Sequence, residues 1–271
     1  MNLETRAETV DLPSSKQPFY RPINNEVDVF RLAYENQLPL MLKGPTGCGK
    51  SRFVEAMAAR LGRPLIQVAC HDETSATDLI GRFLIHGGDT VWQDGPVARA
   101  IRESAILYLD EIAEAREDVI VILHSLTDHR RQLYIERRNE TLAAAKDFML
   151  VVSFNPGYQR GMKELKPSTR QRFLGLSFDY PSLEIEAEIV QRESGIDGSM
   201  AKKIVAVGNK IRHLRELGLA ETASTRLLVD TAILIRAGFS PRAACEAGII
   251  QPLTDDPETI VALRDFTALI L

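Results

Sequence analysis

Gly44-Pro45-Thr46-Gly47-Cys48-Gly49-Lys50-Ser51 is the stretch on which the reading of this chain turns. It fits G-x-x-x-x-G-K-[ST], a loop whose backbone N–H groups turn inward on phosphates. Both flanks suit that purpose. Leu40-Met41-Leu42 is a short apolar run of the kind that forms a buried strand, and Phe53, Val54, Met57, Ala58 and Leu61 recur at helical spacing until Gly62 stops them. Strand, loop and helix in that order bring the positive end of a helix dipole to the loop. In such a loop Lys50 reaches the β- and γ-phosphates and Ser51 ligates Mg²⁺. Cys48 fills an unspecified position of the motif, where a small residue fits.

Working outward, the sequence predicts alternating strands and helices. Residues 1–22 are polar, carry Pro13, Pro18 and Pro22, and read as an extended arm in which Phe19 and Tyr20 either meet a nucleotide base or anchor the arm. Val27, Phe30 and Tyr34 mark a short helix over 25–36. After the loop helix come a strand at 65–69, a polar turn over 71–77 and two apolar segments around Gly87-Gly88, read as a small hairpin or insert over 79–92. Pro96 opens a helix through Arg102. A strand at 105–109 ends in Asp110-Glu111, a helix follows near 116–127, a second hairpin spans 131–147, and an apolar strand over 148–154 ends at Asn155-Pro156. This pattern is that of an α/β core with a parallel, doubly covered sheet over residues 23–180. Beyond Pro181 the strand signal fades. Ile204, Val207, Ile211 and Leu214, then Leu227, Thr231, Leu234 and Ile235, recur at helical spacing, so residues 181–271 read as a smaller all-helical domain.

Composition narrows the function. The 271 residues are 45% hydrophobic and 26% charged, ordinary for a soluble globular chain, and the net charge of −4 argues against a nucleic-acid translocase. No apolar run reaches the length of a membrane helix and no signal peptide opens the chain, so a cytoplasmic protein is expected. The three cysteines, Cys48, Cys70 and Cys245, form no C-x-x-C pair, and the five histidines, His71, His86, His124, His129 and His213, form no metal-ligand pattern. Arg130, Arg131, Arg137 and Arg138 cluster in the second hairpin, as a solvated face or a grip on an acidic partner.

A nucleotide hydrolase needs more than a phosphate cradle. Asp110 and Glu111 stand at the C-terminal end of an apolar strand, where α/β sheets bind ligands; Asp110 is assigned to Mg²⁺ and Glu111 to activation of the attacking water. Asn155 ends a following strand, where its amide either bonds the γ-phosphate and the water or forms the turn before Pro156. Arg170 and Arg172, in Ser168-Thr169-Arg170-Gln171-Arg172-Phe173, are candidates to offset developing phosphoryl charge, from a neighbouring subunit if need be. Arg226 starts a helix in the second domain and is a further candidate to reach the nucleotide. A metabolite kinase is the rival enzyme class, but the adjacent Asp110-Glu111 pair suits water as the acceptor and the helical C-terminal third offers no acceptor pocket.

Loop 44–51, Leu107-Tyr108-Leu109-Asp110-Glu111, Ser153-Phe154-Asn155-Pro156 and Arg170-Gln171-Arg172-Phe173 together resemble an AAA+ ATPase. Asp78-Leu79-Ile80-Gly81-Arg82 and Trp92-Gln93-Asp94-Gly95-Pro96 resemble its MoxR branch, within which the chain from about residue 20 to 271 is most similar to the CbbQ/NirQ/NorQ group and closest to the CbbQ type, the ATPase part of a Rubisco activase. The resemblance implies an αβα core with a helical lid, a homo-hexameric ring with ATP between subunits, and Mg²⁺. It matches Lys50, Ser51, Asp110 and Glu111 to the two Walker motifs, Asn155 to sensor 1 and Arg226 to sensor 2. Arg172 matches the arginine finger, with Arg170 as its rival. The insert at 79–92 and the hairpin at 131–147 match the two elements that distinguish the branch. It further implies an adaptor with a von Willebrand factor A domain (CbbO-like) and Rubisco as client, freed from tight-binding sugar phosphates. The alternative client is nitric oxide reductase, matured with a NorQ/NirQ-like protein.

Overall fold

The computed structural model describes residues 18–156, 165–214, 219 and 221–271. It divides into two compact units: residues 1–44 with 50–177, and residues 45–49 with 178–271. The expected N-terminal arm lies within the described residues only from Pro18 onward.

The first unit is built on five parallel strands. Helix α1 (Glu26–Glu35) leads into β1 (Leu40–Lys43), α2 (Lys50–Leu61) and β2 (Leu65–Ala69). Helix α3 (Ala76–Ile80) precedes an antiparallel hairpin of β3 (Gly81–His86) and β4 (Asp89–Asp94), then α4 (Pro96–Arg102) and β5 (Ile106–Asp110). Helix α5 (Glu117–Thr127) is followed by a second hairpin, β6 (Gln132–Ile135) with β7 (Glu140–Ala143), then β8 (Met149–Phe154), the one-turn α6 (Pro167–Arg170) and β9 (Leu174–Ser177). The sheet order is β2-β5-β8-β1-β9. Strand β8 is buried throughout and β5 in all but its last residue, as both-face coverage requires of near-continuous apolar runs. The order puts the C-terminal tips of β5, β8 and β1 side by side, so Asp110-Glu111, Asn155 and the start of the 44–51 loop share one edge of the sheet.

Two elements differ from expectation. The polar turn over 71–77 contains the start of α3, because Ser75 and Asp78 form a reciprocal capping box. Hence the hairpin strand begins at Gly81 rather than in the apolar residues just before it. Strand β9 was not expected; four residues with a glycine carry little periodicity, and its register comes from pairing with β1, Leu40 opposite Leu174 and Lys43 opposite Ser177.

The arm is anchored. The Tyr20 ring sits 5.1 Å from that of Phe53 and its hydroxyl donates to the buried Glu26 carboxylate, which also accepts from the Ile23 and Asn24 amides. Burial pushes the Glu26 carboxyl up, but these hydrogen bonds outweigh it and hold the group below its ordinary value. In the arginine cluster, Arg130 pairs with Asp128, Arg138 with Glu140, and Arg131 donates to the Phe148 carbonyl at 2.6 Å, so much of that charge is used inside the unit.

The helical part of the second unit comprises α7 (Leu183–Ser194), α8 (Gly198–His213), α9 (Thr225–Arg236), α10 (Pro241–Cys245), a π-helical turn (Glu246–Ile250), α11 (Gln251–Leu253) and α12 (Pro257–Ile270). Ser182, Asp197, Ser224, Ser240 and Asp256 each cap a helix start with a side-chain oxygen, a contribution of about 1 kcal/mol apiece. The core gathers Val190, Ile204, Val207, Ile211, Leu228, Ala232, Ile249 and Leu263. On α9 the inward face is shifted from the expected stripe: Leu228, Thr231 and Ala232 are buried, whereas Leu227, Leu234 and Ile235 are half-buried. Leu214 lies just past the end of α8.

Helices α8 and α9 approach closely at Gly208, where an added Cβ would stand 2.7 Å from a Leu228 methyl. Gly208→Val therefore overpacks this contact at a cost of about 1–3 kcal/mol. Hydrogen exchange of α8 and α9 amides checks it: faster exchange than in the parent is expected, and unchanged protection would contradict it.

Candidate nucleotide site

The side chains of Lys50, Ser51, Asp110 and Glu111 are assembled at the strand tips of the first unit. Lys50 opens α2 and is 5% exposed; its ammonium donates to the Gly44 carbonyl at 2.8 Å, across the base of the loop. Gly47 and Gly49 have φ of +68° and +100°, left-handed backbone that glycine adopts without strain. This is why the motif's glycines recur where the chain reverses. Cys48 is buried, as are Cys70 and Cys245, and no disulfide joins any of the three.

Three hydroxyls hold the Asp110 carboxylate. The Ser51 hydroxyl donates to its Oδ2 at 3.1 Å, the Tyr108 hydroxyl to Oδ1 at 2.9 Å, and the Ser153 hydroxyl also to Oδ1. Its backbone carbonyl accepts from the Cys70 amide at 2.9 Å, and burial pushes the Cys70 thiol up to about 12, out of nucleophilic range. Ser153 and Tyr108 are both fully buried. Burial also raises the Tyr108 phenol, so it stays protonated and remains a donor.

Glu111 sits next to this cluster in an unusual backbone state, φ 51° and ψ 47°, left-handed for a non-glycine residue. Its amide donates to Ser153 Oγ at 3.1 Å and its carboxylate accepts from the Asn155 backbone amide at 3.2 Å. These two bonds hold the strained residue across the β5–β8 tips. Burial raises the Glu111 carboxyl, the Lys50 charge opposes that, and the net direction is upward, toward a stronger base than an ordinary glutamate.

Lys50, Ser51, Asp110, Glu111 and Asn155 form one cluster. Arg170 and Arg172 belong to α6 and the turn after it, where Arg170 Nε donates to the Leu165 carbonyl and Arg172 is exposed. Arg226 is exposed in the first turn of α9, with its Cβ 3.5 Å from where a Cβ on Gly47 of the loop would stand. Tyr108 and Ser153 were not singled out from the sequence. The available signal was polar atoms inside otherwise apolar strands, which need partners once buried.

Ser51 and Asp110 offer hard oxygen donors to a cation. Among the described residues no group of three or more His, Cys, Asp or Glu could hold a metal by itself. That donor set fits Mg²⁺, which is commonly held by few protein oxygens together with substrate phosphates.

Comparison with known proteins bears on the whole chain. Residues 39–173 match the AAA domain of the dynein-related subfamily, and residues 186–270 match the CbbQ/NirQ/NorQ C-terminal region. The chain is 58% identical to Protein NorQ of Paracoccus denitrificans over 93% of its length and 94% of that protein's. It is 54% identical to the denitrification regulatory protein NirQ of Stutzerimonas stutzeri, covering 92% and 90%, and 54% identical to Protein CbbQ of Hydrogenophilus thermoluteolus, covering 92% and 93%. The chain belongs to the CbbQ/NirQ/NorQ family of AAA+ ATPases. A solved RuvB point variant from Thermotoga maritima shares the fold at TM-score 0.51 and 17% identity, covering 90% of this chain and 70% of that one. Membership of this family makes the chain a nucleotide-binding ATPase. Among the described residues no helix is long and apolar enough to cross a membrane.

Ser153→Ala removes one hydroxyl that serves both Asp110 and the Glu111 amide. ATP hydrolysis, read as free phosphate released, should fall about 10-fold with the far-UV spectrum unchanged; a parental rate would show that Ser153 does not position either acid.

Proposed function

We propose that this chain is the ATP-hydrolysing motor of a protein-remodelling machine, acting as a homo-hexameric ring on a client protein through an adaptor with a von Willebrand factor A domain. The observation that carries this reading is the strand-tip cluster, where buried Lys50 and the thrice-bonded Asp110 stand beside a Glu111 of raised basicity.

Each residue has a role in phosphoryl transfer to water. Lys50 and the loop amides bind the β- and γ-phosphates. Ser51 and Asp110 would hold Mg²⁺, which when bound supplies positive charge against the phosphate oxygens. Glu111 takes a proton from the attacking water, and Asn155 orients that water and senses the γ-phosphate. Arg172 of a neighbouring copy, or Arg170 in its place, offsets charge developing on the transferred group. Arg226 contacts the phosphates from the helical domain, residues 181–271, which acts as the lid. Hydrolysis shifts lid against core, and the ring passes that shift to the adaptor.

Two clients are in view. Overall resemblance to the CbbQ type supports Rubisco, relieved of tight-binding sugar phosphates with a CbbO-like adaptor. The identity to Protein NorQ, 58% against 54% for CbbQ, supports maturation of nitric oxide reductase as the second reading.

Purified chain, adaptor and inhibited Rubisco should give ATP-dependent reactivation, and Glu111→Gln should retain ATP while losing about 10²- to 10⁴-fold in turnover. No reactivation with any adaptor would overturn the Rubisco reading in favour of the reductase. Parental hydrolysis by the glutamine variant would overturn the role of Glu111.

A further inference from the structure

The second unit contains a charge pair withdrawn from water that none of the roles above uses. The Glu186 side chain on α7 is 0% exposed and the Arg212 side chain on α8 is 9% exposed. The guanidinium donates from Nη1 to Oε2 and from Nη2 to Oε1, each at 2.7 Å, a bidentate fork. Such a pair is a poor source of net stability, because desolvating two charges consumes most of the attraction and an apolar pair of similar volume does as well or better. Its value lies in what it orients.

It orients two other segments. Thr225, the first residue of α9, donates its hydroxyl to Glu186 Oε1 at 2.5 Å, and Arg212 Nε donates to the Ala223 carbonyl at 2.7 Å. These bonds fix the lead-in to Arg226. On its other side the Arg212 guanidinium lies 3.9 Å from the ring centroid of Tyr180. The Tyr180 hydroxyl donates to the Thr46 carbonyl at 3.0 Å, inside the phosphate loop. Burial raises the Tyr180 phenol, so this donor persists across neutral pH. The loop also lies flush against the cap of α9: a Cβ on Gly47 would stand 2.6 Å from Ser224 Cβ.

The hydrogen bond to Thr46 has a geometric consequence. A trans peptide is planar, with its C=O and N–H pointing in opposite directions. Fixing the Thr46 carbonyl therefore fixes the Gly47 N–H, one of the amides a phosphate loop turns on its anion. We propose that Tyr180 is a positioning residue of the phosphate loop. Its hydroxyl sets the Thr46–Gly47 peptide for the triphosphate, and the Glu186–Arg212 pair holds Tyr180 and the lead-in to Arg226 in one frame. This rests on loop 44–51 being the ATP site, and it adds a regulatory link: displacing Tyr180 releases a loop amide.

The test is equilibrium titration of the full chain with a fluorescent N-methylanthraniloyl ATP, alongside thermal unfolding without nucleotide. Tyr180→Phe keeps the ring under Arg212 and deletes only the hydroxyl. Loss of one hydrogen bond predicts binding weaker by about 3- to 10-fold, with the nucleotide-free unfolding midpoint unmoved. In steady-state hydrolysis the loss falls on KM more than on kcat. Tyr180→Leu, which also removes the ring, weakens binding further. Parental affinity in Tyr180→Phe, with the parent binding normally, overturns this inference alone. A lowered unfolding midpoint with parental affinity makes the tyrosine merely structural and overturns it too. A parent chain that fails to bind the probe overturns the ATP site and this inference together.

Discussion

Three hydroxyls converge on the Asp110 carboxylate, and the rest of the candidate site depends on that convergence. They come from the three strand-and-helix segments that the sheet brings together: Ser51 from the start of α2, Tyr108 from β5 itself and Ser153 from β8. An ionised carboxylate only accepts, so donors on both oxygens satisfy it in place without neutralising it. Hydrogen bonds to a charged group contribute about 1.5–3 kcal/mol each, enough to order a side chain at a half-buried strand end. The charge is left available to a cation.

The sheet explains why these groups meet. Parallel strands with apolar faces must be covered on both sides, which sends each chain segment out through a helix and back to the same end. With the order β2-β5-β8-β1-β9, the C-terminal end of β1 and the acids at the end of β5 flank the tip of β8. Ser153 sits one residue before the end of β8 and bonds both Asp110 and the Glu111 amide, so it ties two adjacent acids to one fixed point. The left-handed Glu111 is the strained member, held by its neighbours rather than by its own preference.

The phosphate loop was legible because its chemistry is local: glycines for backbone reversal, a lysine, a hydroxyl, and flanks of opposite periodicity. The same holds for Asp110-Glu111 at a strand end. What escaped depends on partners distant in sequence. Tyr108 and Ser153 look like ordinary members of apolar strands until the sheet places their hydroxyls against Asp110. Strand β9 exists because β1 has an edge to pair. Helix α3, by contrast, is written locally in its capping residues Ser75 and Asp78. On α9 the buried face runs through Leu228, Thr231 and Ala232, so the small Ala232 rather than the larger Leu234 or Ile235 faces the core, which an apolar stripe alone does not show.

The most direct test of the account is the thermal unfolding of the purified chain with and without Mg²⁺ and ATP. At nucleotide about one hundred times its Kd, ligand linkage adds about 2.7 kcal/mol of stability. The account predicts a rise in melting temperature of that origin, absent in Lys50→Ala. An unmoved transition in the parent chain, or an equal rise in the variant, would contradict it.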